Sequence, residues 1–195
     1  MGLEYAVITS VDRDDLDDGG ASIFAMTVEE IRRVSPETKV ELLIPDLKGS
    51  FDALNTVAES RPDILGHNLE TVRRLYRVIK PQASYEISIS IIKEAGVMGI
   101  TTKSGLILGM GEEMDEAREV MGHLIEAGCK ILTLGQYLRP SKAHLPVARY
   151  YNPDDFLVLK EEGRLMGFEH VEAGPLVRSS YHADEQYIRM GGKNE

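Results

Sequence analysis

The chain has 195 residues, of which 43% are hydrophobic and 28% charged, and its formal net charge is −10. This length and composition are typical of one globular domain with a substantial core. The negative charge excludes nucleic acid as the main partner, because phosphate binding needs a basic surface. No uninterrupted apolar run approaches the length that a membrane-spanning helix requires, so a membrane partner is not expected either.

Cys129 is the single cysteine. One thiol excludes an internal disulfide, a zinc site built on several cysteines and an iron–sulfur cluster held by this chain alone. Because Cys129 follows a glycine and leads into an apolar run, we expect a small buried side chain at the start of a strand. One thiol in an acidic chain is typical of the reducing cytoplasm, which is the localisation that we expect.

Short apolar runs predict five buried strands, and amphipathic patterns between them predict helices. Residues 85–94 are ambiguous, since they alternate like a strand but also keep helical spacing at Tyr85, Ile89 and Ile92. The regular alternation of strands and helices favours a helix there. The predicted strands are Tyr5–Thr9, Val40–Ile44, Asp63–Leu65, Gly105–Leu108 and Ile131–Leu134. The predicted helices lie around 24–31, 54–58, 72–79, 85–94 and 114–125, with one more after Asn152 and Pro153 as N-cap and first helical residue.

This order predicts an α/β fold with a parallel sheet. The strands are too few for a closed eight-stranded barrel, so we expect a partial (β/α) barrel of the TIM type. We expect a single domain over residues 1–195, with an incomplete barrel over about 1–150 and a C-terminal extension over about 151–195. Polar clusters follow the strands, which places the chemistry at their carboxyl ends.

His67-Asn68-Leu69-Glu70 directly follows a predicted strand. In an extended chain the Asn68 and Glu70 side chains point the same way, and an amide with a carboxylate binds a vicinal diol such as a ribose. A turn followed by a helix N-terminus explains the same spacing equally well.

Three further segments are candidates. Gly109 and Gly111 leave the fourth strand in a turn that allows a ligand close to the backbone, although the dinucleotide and P-loop spacings are absent. Residues 9–15 are rich in hydroxyls and carboxylates, but most of these are typical of a solvated loop. Residues 136–147 form a long, proline-containing loop of the kind that is often functional.

The segment Gly174-Pro-Leu-Val-Arg-Ser-Ser-Tyr-His-Ala183 concentrates polar chemistry near the C-terminus. Considered alone, it is typical of a terminal strand with a polar cap, in which Ser179 or Ser180 begins a short helix.

Taken together, these motifs resemble one family. Lipoyl synthases have them in this order: residues 8–16, His67–Thr71, Thr102–Glu112, Leu134–Tyr137 with His144–Val147, and Gly174–Ala183. The resemblance implies a radical S-adenosylmethionine (SAM) enzyme with a partial barrel and two [4Fe–4S] clusters. It also implies a sulfurtransferase reaction that inserts sulfur at C6 and C8 of a protein-bound octanoyl chain to give the lipoyl cofactor.

The resemblance implies partners and residue roles as well. The partners would be octanoylated carriers, namely the lipoyl domains of 2-oxoacid dehydrogenases and the glycine-cleavage carrier protein, and an electron donor such as ferredoxin or flavodoxin. Asn68 and Glu70 would contact the ribose of SAM, with Gly109 and Gly111 lining the adenosine site. Thr9, Ser10 and Lys103 would lie near the methionine end, and Ser180, rather than Ser179, would be the oxygen ligand of the auxiliary [4Fe–4S] cluster.

One departure from the family is large. Lipoyl synthases carry two cysteine triads upstream of the matched segment, and the single thiol here is Cys129. We therefore expect the chain to lack the first barrel strand and to be inactive alone, as a truncated piece, the product of a mis-started reading frame or one half of a split enzyme. The alternatives are a non-catalytic module that binds SAM and a carrier protein, and an unrelated barrel enzyme that binds a phosphorylated sugar at the glycine turn.

Overall fold

The computed structural model describes residues 2–180 and 183–189. Six parallel strands pair in chain order to form one sheet, with β1 and β6 at its two ends. In the centre, Gly66 pairs with Lys103, and Leu106 pairs with Leu134. The strands are β1 Tyr5–Thr9, β2 Lys39–Leu43, β3 Ile64–Gly66, β4 Thr101–Leu108, β5 Ile131–Gln136 and β6 His170–Gly174.

At least one helix lies between each pair of consecutive strands, which confirms the predicted α/β fold. Capping residues fix where two of them begin: Glu113 and Asn152 each form a capping box, and Pro153 occupies the first turn of the latter helix. In the described ranges, no helix is long and apolar enough to cross a membrane. The helices are α1 Ala21–Val34, α2 Phe51–Glu59, α3 Tyr76–Ile79, α4 Tyr85–Val97, α5 Met114–Glu126, α6 Pro153–Met166 and α7 Ala183–Arg189.

The structure differs from the sequence prediction in two elements. The sixth strand, β6, ends at Gly174, where the terminal strand suggested by the sequence begins; it is not recognisable by itself, because its apolar residues are only Val171 and Ala173 and polar residues alternate with them. This strand pairs with β5, so the sheet continues into the segment expected to be an extension. Residues 72–79 form a 3₁₀ turn, Arg73–Leu75, followed by the single turn α3, since Val72 is extended and Pro81 stops the helix soon afterwards.

The apolar core lies between the sheet and the helices. One cluster packs α1 and α2 on β2 through residues such as Phe24, Leu54 and Leu42, and a second packs α5 and α6 on β4 and β5. Since strand side chains alternate in direction, the intervening residues Glu41 and Lys103 face the opposite, concave side of the sheet.

An ion pair lies at the centre of that concave side. The Lys103 Nζ is 2.8 Å from the Glu41 Oε1, and both side chains have no exposed surface. The Tyr5 hydroxyl donates to the other Glu41 oxygen at 2.7 Å, and burial, followed by the Glu41 charge, raises the pKa of Tyr5. These contacts connect β1, β2 and β4 across β3.

Cys129 is buried just before β5, as the sequence predicted. Burial raises the pKa of its thiol to about 12, so the reactive thiolate is scarce in the folded protein at neutral pH.

Removing one member of the Glu41–Lys103 pair should destabilise the fold strongly. Lys103→Met leaves a buried carboxylate without its cation, which costs about 3–5 kcal/mol of unfolding free energy. The double variant Lys103→Met/Glu41→Leu should recover much of that loss, because neither charge remains. Urea unfolding measures both values, and equal destabilisation of the single and double variants would contradict the pairing.

Cys129 should react slowly with a thiol reagent in the folded chain and rapidly in 6 M guanidinium (a concentration of about 6 M unfolds ordinary domains). The rate of colour release from Ellman's reagent measures this difference. Fast labelling of the native protein would show that the thiol is accessible, in conflict with its burial.

Candidate ligand-binding site at the carboxyl edge of the sheet

A cavity of about 580 Å³ opens where β1, β2 and β3 end. Its volume is within the range of sites for small ligands. Each strand contributes the residues that follow it, and the segment between α3 and α4 closes one side. The polar residues lining the cavity are Thr9, Ser10, Asp12, Asp14, Asp46, Lys48, His67, Asn68, Glu70, Lys80, Gln82 and Ser84.

Asn68 and Glu70 form the polar centre of this cavity. The Asn68 Nδ2 donates to the Glu70 Oε1 at 3.1 Å. The spacing predicts an extended chain here, but Glu70 has a φ of 69°, in the left-handed region. Backbone hydrogen bonds to Gly105 and Ile107 hold Glu70 against β4, and this pairing explains the local conformation.

The Asn68 side chain needs space on β4. A Cβ at Gly105 would lie 3.1 Å from the Asn68 Oδ1 and closer still to the Thr133 hydroxyl. Glycine at position 105 therefore allows the amide to sit against the strand.

The C-terminal motif that begins at Gly174 also contacts Asn68. The Ser179 hydroxyl donates to the Asn68 Oδ1 at 3.2 Å, so residues 111 positions apart meet at the cavity. The neighbouring Ser180 lines a different cavity, together with Leu3 and Tyr5 of the first strand region. Tyr181 and His182 lie outside the described residues.

Opposite charges surround the Asn68–Glu70 pair. Burial raises the pKa of Glu70, while the Asn68 hydrogen bond and the charges of Lys80 and Arg178 oppose the rise. Burial also lowers the pKa of Lys80, against the attraction of Glu70, Asp46 and Asp12. The Lys80 Nζ is 3.2 Å from the Asn68 carbonyl oxygen, which fixes the ammonium at the cavity wall.

Hydrogen bonds between its own residues hold the glycine turn after β4 in shape. The Glu112 carboxylate accepts the backbone N–H groups of Gly109 at 2.5 Å and Met110 at 2.9 Å. Gly109 has a φ of 110°, and a Cβ there would collide with the Gln136 amide and the Arg149 carbonyl. Gly109 and Gly111 are absent from the lining of the 580 Å³ cavity.

The remaining predicted site residues divide into two groups. Thr9 and Ser10 line the cavity, where the Thr9 hydroxyl donates to the Leu43 carbonyl at 3.0 Å. Lys103 lies below the cavity, with its ammonium paired to Glu41. The structure thus brings Thr9, Ser10, Asn68 and Glu70 together and leaves Lys103 in the interior of the sheet.

His67 holds the strand ends in place. Its Nδ1 is 3.0 Å from the Ile44 carbonyl oxygen, and its Nε2 is 2.9 Å from the Ser88 hydroxyl of α4. Burial, with a smaller effect of the Lys80 charge, lowers the pKa of His67 to about 4. The ring is therefore neutral at physiological pH and connects β2, β3 and α4.

Sequence reasoning missed two charged residues of the site, Lys80 and Arg178. The helix predicted over 72–79 ends just before Lys80, and the contact of Lys80 with the Asn68 carbonyl joins residues 12 positions apart. Arg178 was noted within the C-terminal motif, but its influence on Glu70 requires the long-range contact made by Ser179.

Comparison with known proteins identifies the family. A sequence profile of the Radical SAM superfamily matches residues 1–125. Curated lipoyl synthases are 55% identical in Leptospira interrogans, 58% in Citrifermentans bemidjiense and 50% in Phocaeicola vulgatus. The alignments cover 95%, 96% and 98% of this chain, respectively. The chain belongs to the lipoyl synthase family of radical SAM proteins.

The matched region is shorter than these lipoyl synthases. It spans 62% of the Leptospira protein, 65% of the Citrifermentans protein and 67% of the Phocaeicola protein. Each of these three lipoyl synthases is therefore longer than the segment that it shares with this chain.

Solved structures confirm the fold. Methylornithine synthase (PylB) superposes with a TM-score of 0.61 at 14% identity, covering 94% of this chain and 62% of its own. Streptococcus suis SuiB bound to its precursor peptide SuiA gives a TM-score of 0.54 at 13% identity, covering 88% and 49%. At these identities the similarity shows the barrel-type architecture alone.

The described residues of this lipoyl synthase relative do not fit an iron–sulfur cluster. No group of three or more His, Cys, Asp or Glu side chains among them is arranged to hold a metal ion. Cys129 is buried behind β4 and β5, and its thiol hydrogen-bonds to the Ile131 carbonyl. The residues around the cavity, in contrast, fit the polar parts of SAM, since hydroxyl, amide and carboxylate groups converge there with charges of both signs.

His67 should make folding stability depend on pH. Its folded pKa of about 4 is below the unfolded value of 6.5, so its contribution is complete above pH 6.5 and falls as the pH drops from 6.5 to 4. The loss is on the order of 3 kcal/mol. His67→Gln should be less stable at pH 7.5 but should show a shallower decline toward pH 4.5 in urea unfolding. Parallel pH profiles for the two proteins would show that His67 does not titrate as described.

Proposed function

We propose that this chain is the part of a lipoyl synthase that binds the ribose and methionine portions of SAM in the 580 Å³ cavity. The observation that carries the proposal is the contact of Asn68 with both Glu70 and Ser179 at the carboxyl edge of the sheet. Ligands of parallel α/β proteins bind at that edge. Identity of 50–58% to lipoyl synthases supports the choice of ligand.

The ribose and methionine portions of SAM have suitable groups in the cavity. The Glu70 carboxylate accepts from the ribose hydroxyls, and the Asn68 amide donates to or accepts from them. The methionine carboxylate requires a cation, which Lys80 or Lys48 supplies, and its ammonium requires acids such as Asp12 or Asp46. Thr9 and Ser10 add hydroxyl groups on the same side.

The other predicted residues have supporting roles in this proposal. Lys103 acts through its ion pair with Glu41, which fixes β4 below Asn68. Gly109 and Gly111 shape the turn that carries Glu112, and this turn would lie beside the adenine. SAM supplies the organic radical that abstracts hydrogen from the substrate in this family, and the residues named here bind and orient it.

The complete reaction that we propose is sulfur insertion at C6 and C8 of an octanoyl chain bound to a carrier protein. This proposal includes the carrier, the electron donor and both [4Fe–4S] clusters. It also includes Ser180 as the oxygen ligand of the auxiliary cluster. Because the described residues do not fit a cluster, we assign no chemical step to one in this chain. Cysteines supplied from outside the 195 residues would have to hold it.

We infer a second candidate function from the cavity itself. A polar cavity lined by charges of both signs also suits a binding module that recognises SAM and a carrier without turnover. Adding the cysteine-containing segment of a related lipoyl synthase distinguishes the two. Lipoyl formation would support the enzyme, and binding without turnover would support the module.

Asn68→Ala should weaken SAM binding by about tenfold or more, because a half-buried hydrogen-bonding partner is lost. Glu70→Gln should weaken it less, since the amide keeps one acceptor. Isothermal titration calorimetry measures both affinities. Asn55→Ala, an exposed change in α2, is the matched control and should bind like the parent chain. Unchanged affinity in Asn68→Ala would place the SAM site elsewhere.

A further inference from the structure

A basic segment interrupts this acidic chain after β5. No Asp or Glu occurs between Glu126 and Asp154, whereas Lys130, Arg139, Lys142 and Arg149 all lie there. The chain as a whole has a formal net charge of −10. We name residues 137–150 the basic loop, since they contain three of the four cations and connect β5 to α6.

The basic loop lies at the same edge of the sheet as the candidate site. It begins where β5 ends, and its far end returns to the glycine turn. The Ala148 N–H donates to the Gly109 carbonyl at 2.8 Å, and the Gln136 amide donates to the Arg149 carbonyl at 3.0 Å. A partner bound to this loop therefore stands beside the carboxyl ends of the strands.

Internal hydrogen bonds give the loop a defined shape. The Arg139 Nε donates to the His144 carbonyl at 2.8 Å, and the Tyr137 hydroxyl donates to the Leu145 carbonyl at 2.9 Å. The Ser141 hydroxyl also lies 2.9 Å from the His144 Nδ1. A preorganised surface loses less conformational entropy on binding than a disordered one.

The loop exposes apolar side chains among its charges. Tyr150 is 69% exposed and Leu138 is 46% exposed. Protein interfaces are rich in aromatic residues and Arg, and such side chains provide most of the binding energy. Lys130 is paired with Glu169 and Arg149 with Asp155, so the positive charge of this surface comes from Arg139 and Lys142, which are both exposed. A cationic surface with exposed apolar side chains is suited to a folded protein with an acidic face.

We propose that the basic loop is the docking surface for the carrier protein, and that it recognises acidic side chains around the carrier's modified lysine. This inference rests on the proposed function, because it names the surface through which the carrier reaches the cavity. Docking here would place a carrier-bound acyl chain at the carboxyl edge of the sheet. An extended polyanion such as RNA is disfavoured, since the rest of the chain is acidic and would repel it.

The test measures binding of an octanoylated, acidic lipoyl domain to the 195-residue chain by surface plasmon resonance at several salt concentrations. Lys142→Glu should slow association about tenfold at low salt and reduce the salt dependence. Tyr150→Ser should weaken affinity about tenfold, mainly through faster dissociation. The matched controls are Lys93→Glu, an exposed change on α4, and Phe51→Ser, an exposed ring on α2; both should bind like the parent.

The outcomes separate this inference from the proposed function. Unchanged carrier binding in both loop variants overturns the docking surface but leaves the carrier as a substrate. Absence of carrier binding by the parent chain overturns both the docking surface and the carrier part of the proposed function, whereas SAM affinity tests the cavity independently. If the loop variants impair binding of a short RNA and leave carrier binding unchanged, the loop is a nucleic-acid site instead and the proposal is overturned.

Discussion

The buried ion pair between Lys103 and Glu41 is the constraint on which the concave side of the sheet depends. It joins β4 to β2 across β3 with no exposed surface on either side chain, and Tyr5 extends the network to the end strand. Two charges without water are tolerated only when each stays with its partner. The network therefore fixes the relative positions of β1, β2 and β4, and the cavity opens where β1, β2 and the enclosed strand β3 end.

Above this network the site is built from strand ends instead of a single loop. His67 links the ends of β2 and β3 to α4, Glu70 follows the edge of β4, and Ser179 approaches from beyond β6. Because the sheet is rigid, the side chains of a site built on strand ends are held in well-defined positions. The site contains both an acid, Glu70, and a base, Lys80. Burial raises the pKa of Glu70 and lowers the pKa of Lys80, so it favours the neutral form of each side chain.

Much of the fold follows from local sequence. All five strand segments that the periodicity predicts are strands in the structure, and the ambiguous segment 85–94 lies in α4, as the alternation required. The caps at Asn152 and Pro153 were predictable because they depend on neighbours a few residues away. β6 is not recognisable by itself, because an end strand with His170 and Glu172 on one face lacks the continuous apolar run of the central strands.

The site was predictable only in part. Asn68 and Glu70 were found from their spacing, although the extended geometry assumed for them is wrong at Glu70. Lys103 pairs with Glu41, and both Lys80 and Ser179 contact Asn68. Each of these contacts joins residues that are not neighbours in the chain. No local pattern encodes such contacts, since they depend on strand register and on the return of the C-terminal segment.

The contact between Ser179 and Asn68 also bears on the order of folding. It closes a loop of 111 residues, so it forms only after the intervening strands and helices have found their places. The cavity lining between Thr9 and Ile87 does not include β6, so we expect the Ser179 hydroxyl to join an Asn68 side chain that already lies in the cavity wall. A ligand that contacts Asn68 would then also stabilise the position of the C-terminal segment, because Ser179 holds the same amide.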